Sequence, residues 1–257
     1  MITSRANAKV KWVRGLQAKR AEREAAQSCV VEGVRLLEEA AQAGVTAHLV
    51  LHTDDLDARG QAAVDALAAL GAPVEAVTPD VMAAASEAQT PPGLLAVVPI
   101  PHLPVPSPLT FALVLDRLSD PGNLGTILRT AAAAGVQAVF LAPGTVDPYN
   151  PKVIRAAMGA HFHLPLIAAD WEALPTLLAG LDLWRAESGS GAAYDAVDWR
   201  RPVALLIGAE ASGPGDQARA LAPQPVHIPM PGPTESLNAA MATGILLFEA
   251  ARQRRQG

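Results

Sequence analysis

Beyond a cluster of five prolines in ten residues, at Pro99, Pro101, Pro104, Pro106 and Pro108, short apolar runs alternate with helical stretches. That alternation restricts the chain to few architectures. The strand candidates are Phe111 to Leu115, Ala138 to Leu141, Leu164 to Ile167, Leu183 to Ala186, Val203 to Ile207 and Val226 to Met230. Strands that are apolar throughout and joined by helices build a largely parallel sheet covered on both faces. The prolines favour polyproline II, a semi-rigid spacer of about 30 Å over such a length. The chain is therefore expected to be an α/β protein of two domains, 1–98 and 109–257, joined by a linker at 99–108.

Ahead of the linker the alternation is tighter. Strand candidates at Cys29 to Val31, His48 to His52, Val74 to Val77 and Leu94 to Val98 are interleaved with helical patterns at Val34 to Ala43 and Gln61 to Leu70, which reads as a small α/β domain. A basic helix, Asn7 to Ala26, is expected to precede it. Half of the residues are hydrophobic, enough for a sizeable core. The single cysteine, Cys29, excludes an intramolecular disulfide and any multi-thiolate zinc or iron–sulfur site. No apolar run approaches the roughly 20 residues that span a bilayer, and Met1 to Arg5 do not lead into a signal-peptide core. The expectation is a cytoplasmic protein without membrane contact.

The net charge of −5 argues mildly against a polyanionic partner, yet the charge is unevenly spread. Between Met1 and Glu24 stand Arg5, Lys9, Lys11, Arg14, Lys19, Arg20 and Arg23 against only Glu22 and Glu24. Such a segment is either a solvated helix or a phosphate-contacting face.

Three constellations carry chemistry. In the first, Asp120-Pro121-Gly122 is a turn, Asn123 suits an N-cap, and Arg129 falls inside the following helix. A capped helix with a solvated arginine explains it equally well. In the second, a buried strand ends at Gly208, where bare backbone admits a ligand, with Ala209 and Glu210 just outside. An ordinary loop with an exposed glutamate is the plain alternative. Gly213, Gly215 and Ala218 also satisfy a loose dinucleotide spacing, but they do not directly follow the strand, and Pro223 leaves too little helix for the crossover. In the third, a Pro/Gly loop from Pro229 to Pro233 runs into Ser236-Leu237-Asn238 and a small-residue helix, a start that presents backbone amides to a ligand. A helix cap with alanines for close packing is the alternative there. His161 and His163 flank Phe162 without a Cys or carboxylate cluster, so no metal is expected.

Together the three stretches resemble the motifs of the SpoU (TrmH) branch of the SPOUT RNA methyltransferases: Asn-x-Gly with a following Arg, Gly-x-Glu-x-x-Gly, then a Ser-Leu-Asn helix start, over about Phe111 to Arg255. In the N-terminal region, Ile2-Thr3-Ser4 with Asn7, Lys9-Val10-Lys11 and Val31-Glu32-Gly33 resemble the L30e-like substrate-binding domain of ribosomal-RNA members. The resemblance implies S-adenosylmethionine as cofactor, a ribose 2′-hydroxyl of RNA as acceptor, a C-terminal trefoil knot and a homodimer in which Arg129 enters the partner's site. It implies backbone contacts to the cofactor from Gly208, Ile228 and Leu237, with Ala209, Glu210, Met230 and Ser236 shaping its pocket. Arg129 takes an electrostatic catalytic role, and Asn123, Glu210, Ser236 and Asn238 align the loops. RNA contacts are expected from Arg5, Lys9, Lys11, Arg14 and Arg129, and from Lys152 and Arg155 in a further family-like stretch. Ribosomal RNA is the expected substrate; transfer RNA, or a non-catalytic ribosome-assembly role on the same fold, are the alternatives.

Overall fold

The computed structural model describes residues 1–210 and 212–256. Contacts divide the chain into two units, one of Met1–Pro101 with Asp147–Phe162, the other of the remainder. The first unit opens with α1 (Ala8–Ala18) and α2 (Arg20–Ala26), then β1 (Ser28–Glu32), α3 (Val34–Gln42), β2 (Leu49–His52), α4 (Ala58–Ala69), β3 (Val74–Ala76), α5 (Pro79–Ala85) and β4 (Leu94–Pro99). Its sheet runs β1-β4-β2-β3, with β4 antiparallel to both neighbours and β2 parallel to β3. Side chains alternate across a strand. Leu94, Ala96 and Val98 of β4 accordingly join the core under α3 and α4, and Leu95 and Val97 the core under α1 and α5.

The single helix expected from Asn7 to Ala26 is instead two, broken at Lys19, whose backbone is extended (φ −127°, ψ 123°). The cause is Arg23. Its buried guanidinium donates to the carbonyls of Leu16 (2.6 Å) and Gln17 (3.2 Å), and to Asp147. The last carbonyls of a helix lack intrahelical partners, so this side chain caps α1 and holds the break.

The second unit begins with β5 (Phe111–Leu115), α6 (Pro121–Ala134) and β6 (Ala138–Leu141). The chain then returns to the first unit for α7 (Pro151–Ala157) and a 3-10 turn at Ala160–Phe162, where Ile154 and Phe162 fill the core under α3. A division drawn at the prolines alone does not carry this excursion, because its anchors, Ile154, Phe162 and the Arg23–Asp147 pair, are tertiary. Within it, burial lowers the His161 imidazole to about 4, while its Nε2 lies 2.7 Å from the Pro148 carbonyl. The unfolded chain then binds a proton there, between the ordinary histidine value of 6.5 and about 4, that the folded chain refuses. Folding stability is complete above that window and falls by up to about 1.4 kcal/mol per pH unit through it. Urea titrations at stepped pH should show this slope, and His161→Phe should flatten it; an unchanged slope would reject the assignment.

Beyond the excursion come β7 (Leu166–Ala168), α8 (Leu174–Leu177), β8 (Asp182–Ala186), β9 (Ala192–Ala193), β10 (Val203–Ile207), α9 (Asp216–Leu221), β11 (Gln224–His227) and α10 (Ala239–Arg254). Seven strands in the order β7-β6-β5-β10-β8-β11-β9 pair in parallel throughout. The central strands β5 and β10 are buried along their whole length, and Ala112, Val114, Ala204 and Leu206 share a core with Leu174 and Ala218. The seventh strand, β9, and the early end of β11 at His227 were not expected. Two residues are too few for a hydrophobic pattern, and the segment after His227 lacks ladder partners. β11 slots between β8 and β9, and the β8–β9 connection crosses it closely at Gly191. Among the described residues, no helix is long and apolar enough to cross a membrane.

Candidate functional site

In parallel sheets the ligand crevice lies beyond the carboxyl ends of the strands, and the loops after β5, β10 and β11 supply it here. α6 starts one turn earlier than an Asn123 cap would place it. Asp120 is the cap, its carboxylate accepting the Asn123 N–H at 2.7 Å. Asn123 sits inside the first turn, and its side chain is released for tertiary bonds: Nδ2 donates to Glu210 (3.2 Å), and Oδ1 accepts from Asn238 Nδ2 (2.9 Å). Asn238 in turn caps α10, its Oδ1 accepting the N–H groups of Ala240 (2.9 Å) and Met241 (3.3 Å). One chain of hydrogen bonds thus joins all three sequence motifs.

Glu210 also accepts the N–H groups of Ser119 and Asp120, both at 3.4 Å. Burial raises its carboxyl, but hydrogen bonds from its own N–H, Asn123, Ser119 and Asp120 outweigh that and hold it below the ordinary value. The anion therefore persists below the usual carboxylate range, and its contribution is lost only as pH falls through the depressed value.

Gly208 is required for a different reason from the one its sequence position suggests. A Cβ there would stand 2.2 Å from the Pro214 nitrogen and 2.3 Å from the Gly213 carbonyl carbon, so the loop's own return needs the bare backbone. Asp116, buried at the end of β5, fastens that return by accepting the Gly215 N–H at 2.9 Å and pairing with Arg117 at 3.1 Å.

Two clefts adjoin at this point. The first, ≈ 340 Å³, is lined by Gly208, Ala209, Glu210, Ile228, Met230, Ser236 and Leu237, every residue expected to shape a cofactor pocket. Ile207, Val226 and Leu246 add apolar wall, and Glu187, Arg219 and His227 add polar atoms. Glu187 pairs with both Arg185 and Arg219, and the His227 Nδ1 is buried without a partner. The backbone N–H groups of Thr234, Glu235, Ser236 and Leu237 donate to no described acceptor. The second cleft, ≈ 460 Å³, is lined by Ser119, Asp120, Asn123, Ala209, Glu210 and Asn238. Ala209 and Glu210 belong to both.

Sequence reasoning missed Asp116, Glu187 and Arg219. The first two directly follow strands β5 and β8, so the carboxyl-end rule applied to every strand would have found them. Arg129 lies in the third turn of α6, exposed, lines neither cleft, and has no side-chain partner among the described residues. Of the expected RNA-binding cations, Arg5 is paired with Asp80 and Lys9 with Glu75. Lys19, Arg20 and Arg23 are also paired, which leaves Lys11 and Arg14, on that stretch, without acidic partners among the described residues. The basic face is therefore narrower than its composition suggests. Lys152 and Arg155 lie on α7 in the first unit, Lys152 exposed and Arg155 half-buried with Nη1 unpartnered. Among the described residues no cluster of three His, Cys, Asp or Glu has metal-holding geometry.

The cap makes a simple test of the network's anchor. Asn238→Ala should cost about 1 kcal/mol in urea denaturation, and Asn238→Asp, which keeps the accepting oxygen, much less. Equal losses would remove the cap from the account.

A profile of the SpoU rRNA Methylase family matches residues 110–248, and one of the MRM3-like substrate binding domain matches 7–96. The chain is 31% identical to the 23S rRNA (guanosine(2553)-2′-O)-methyltransferase RlmP of Bacillus subtilis, over 96% of this chain and 97% of that one. It is 33% identical to the 23S rRNA (uridine(2479)-2′-O)-methyltransferase of Streptomyces viridochromogenes, over 100% and 93%. Among solved structures, an rRNA methyltransferase from Sinorhizobium meliloti superposes with a TM-score of 0.86 at 30% identity, covering 98% of this chain and 96% of that one. The SpoU methyltransferase AviRb from Streptomyces viridochromogenes, in complex with AdoMet, gives 0.85 at 29% identity, over 98% and 100%.

Proposed function

This chain belongs to the SpoU rRNA methylase family, and from that membership we propose that it methylates a ribose 2′-hydroxyl of ribosomal RNA with S-adenosylmethionine. The observation that carries the reading is the pair of adjoining clefts that share Ala209 and Glu210, tied together by the Glu210–Asn123–Asn238 hydrogen bonds.

The larger set of apolar walls suits the cofactor. N–H groups at 234–237, unpaired among the described residues, offer donors, and the Glu210 carboxylate complements a sulfonium cation. When bound, S-adenosylmethionine supplies a methyl group already activated for transfer. Gly208, Ile228 and Leu237 hold it through backbone, with Ala209, Glu210, Met230 and Ser236 around them.

The second cleft receives the acceptor ribose. Asn123, Glu210 and Asn238 fix its walls, and Ser236, two residues before Asn238, lines the cofactor cleft. Arg129 stabilises the developing alkoxide and holds the adjacent phosphate, because an arginine carries its charge at every accessible pH and cannot serve as a base.

Arg129 reaches the reaction in a homodimer, from one protomer into its partner's clefts. Its absence from both clefts of its own chain supports this, as do the exposed Met241 (62%) and Phe248 (50%) on α10, the helix packed against α6. A trefoil knot at the C-terminus is supported by β11 entering between β8 and β9 after both are laid down, an exception to un-knotted chains. The first unit serves as the RNA-docking domain, through Lys11 and Arg14 foremost, with Lys152 and Arg155 on a separate helix and Arg5 and Lys9 available only by exchanging their carboxylate partners. The cytoplasm is the compartment this reading adopts, supported by the chain's likeness to the bacterial 23S rRNA methyltransferases.

The test is transfer of labelled methyl from S-adenosylmethionine to ribosomal and transfer RNA from cells lacking the gene, followed by nuclease mapping. One labelled ribosomal ribose is expected. Label confined to transfer RNA would overturn the substrate, and no label in RNA or in ribosomal particles would overturn the activity.

A further inference from the structure

Glu187 directly follows β8, lines the ≈ 340 Å³ cleft, and is paired with both Arg185 and Arg219. We infer that its carboxylate accepts the two ribose hydroxyls of S-adenosylmethionine and is the contact by which this cleft selects a ribonucleoside. The inference rests on the S-adenosylmethionine reading of the cleft and adds a specificity-determining residue to it.

Strand register gives its position. β8 lies between β10 and β11, and the pairings of Leu206 with Arg185 and Val226 with Ala186, continued along the parallel strands, bring Gly208, Glu187 and His227 to one level at the carboxyl ends. The acceptor cleft lies on the other side of β10, after β5, and shares Ala209 and Glu210 with the first. The methyl group has to sit at that shared edge to reach an acceptor. Glu187 then stands one strand further away, about 4.8 Å, where a group close to the sulfonium must lie. The carboxylate is also built to accept. Arg185 Nε donates to Oε2 at 2.9 Å and Arg219 Nη1 donates to Oε1, while Arg185 Nη1 donates to the Ala222 carbonyl at 2.8 Å, so the group is fixed before a ligand arrives. Each oxygen spends one lone pair in this way and keeps another. Burial raises the carboxyl, but the hydrogen bonds from Arg219 and Arg185 outweigh that and hold it below the ordinary value, so it is ionised and only accepts. Its side chain is 19% exposed, shielded yet open to the cleft it lines.

Ligand chemistry selects the ribose. The cofactor carries donors in three places: the ammonium of its methionine part, the exocyclic amine of adenine, and the ribose hydroxyls. Two arginines against one carboxylate leave this wall with a net positive charge, which disfavours the ammonium. The adenine amine sits beside a ring nitrogen whose lone pair would face the second carboxylate oxygen. A ribose presents two neighbouring, neutral O–H donors, one for each oxygen. The acidic residue that dinucleotide-binding sheets offer to a ribose hydroxyl works in the same way. Ile207, Val226 and Leu246 are then left as apolar wall for the adenine ring.

The test is calorimetric titration of the full chain with S-adenosylhomocysteine, which has no methyl group to transfer, and with its 2′-deoxy and 3′-deoxy forms. The wild-type chain is expected to bind each deoxy form about 10- to 100-fold more weakly, the range for a hydrogen bond to a charged group. In Glu187→Ala the three ligands should bind alike. A merely structural role would weaken all three by one factor and leave their ratios unchanged. Equal binding of the three by the wild-type chain, or ratios that survive in Glu187→Ala, would overturn the contact. Should Glu187→Ala fail to fold, Glu187→Gln, which keeps one accepting oxygen, decides: at least one of the two ratios should fall to near unity, and two unchanged ratios reject the contact. If the wild-type chain binds neither S-adenosylmethionine nor S-adenosylhomocysteine, the cofactor reading itself fails and this inference with it; binding without discrimination defeats this inference alone.

Discussion

Arg129→Ala should lower kcat by about 10²- to 10³-fold while leaving the affinity for S-adenosylmethionine within twofold. The side chain lines neither cleft of its own chain and has no described partner, so its removal leaves no buried group unsatisfied and should not cost stability. On the proposed mechanism it removes a fixed positive charge where an alkoxide develops, and such charges act most strongly in the transition state. The proposed delivery of Arg129 across a dimer makes a second expectation available. On that proposal, Glu210→Ala should damage the clefts of the chain that bears it, and Arg129→Ala those of its partner. Exchanging subunits between the two inactive variants should therefore restore activity, because in each mixed dimer one site receives an intact Glu210 and an intact Arg129. Recovery on mixing would establish action in trans; no recovery, with exchange verified by labelled subunits, would place Arg129 in its own chain's site or outside the reaction. Lysine at this position should rescue only partly, since it offers a point charge without the planar fork.

Gly191→Ala should abolish stable folding of the second unit or cost about 4 kcal/mol or more, the range reserved for severe backbone conflicts. Its φ of +80° alone makes a side chain unfavourable, and the space is taken as well: a Cβ would lie 1.9 Å from the Pro225 carbonyl oxygen and 2.5 Å from its carbon. Both are backbone atoms of β11, which is fixed by its pairing with β8 and β9, so neither can yield. Gly180 provides the control. Its φ is +85°, yet nothing lies within 4 Å of its Cβ position, and Gly180→Ala should show only the conformational cost of about 1 kcal/mol. Guanidinium titrations of the two variants and the parent decide between them. Similar losses at both positions would mean that left-handed backbone, and not the crossing, governs Gly191.

Much of the second unit was legible because its signals are local. β5, β6 and β10 fall where continuous apolar runs end at turn residues, and burial on both faces gives such strands an unmistakable pattern. The motif residues were legible too. Asn123, Glu210 and Asn238, spread over more than a hundred positions, proved to be hydrogen-bonded to one another. Yet the reason each is needed lay outside the sequence. Asn123 reads as a helix cap, and only Asp120's capture of its N–H frees it for Glu210. Gly208 reads as room for a ligand, and the structure assigns that room first to Gly213 and Pro214.

The basic N-terminal stretch shows the same limit from the side of charge. Composition counts cations, but an ion pair with Asp80 or Glu75 depends on strands and helices folded more than sixty residues away. Arg23 is the extreme case, a charge expected at the surface that is buried as the cap of α1.

By itself the sequence determined the α/β alternation, the largely parallel character of the large sheet and the three loops that form the clefts, since periodicity, turn chemistry and strand ends are set by neighbouring residues. Only the tertiary structure decided which strands β11 would enter between, that Asp147–Phe162 would join the first unit, and which cations would remain unpaired. Those choices are made by long-range pairing and by competition for buried partners, and no local pattern encodes who the partner will be.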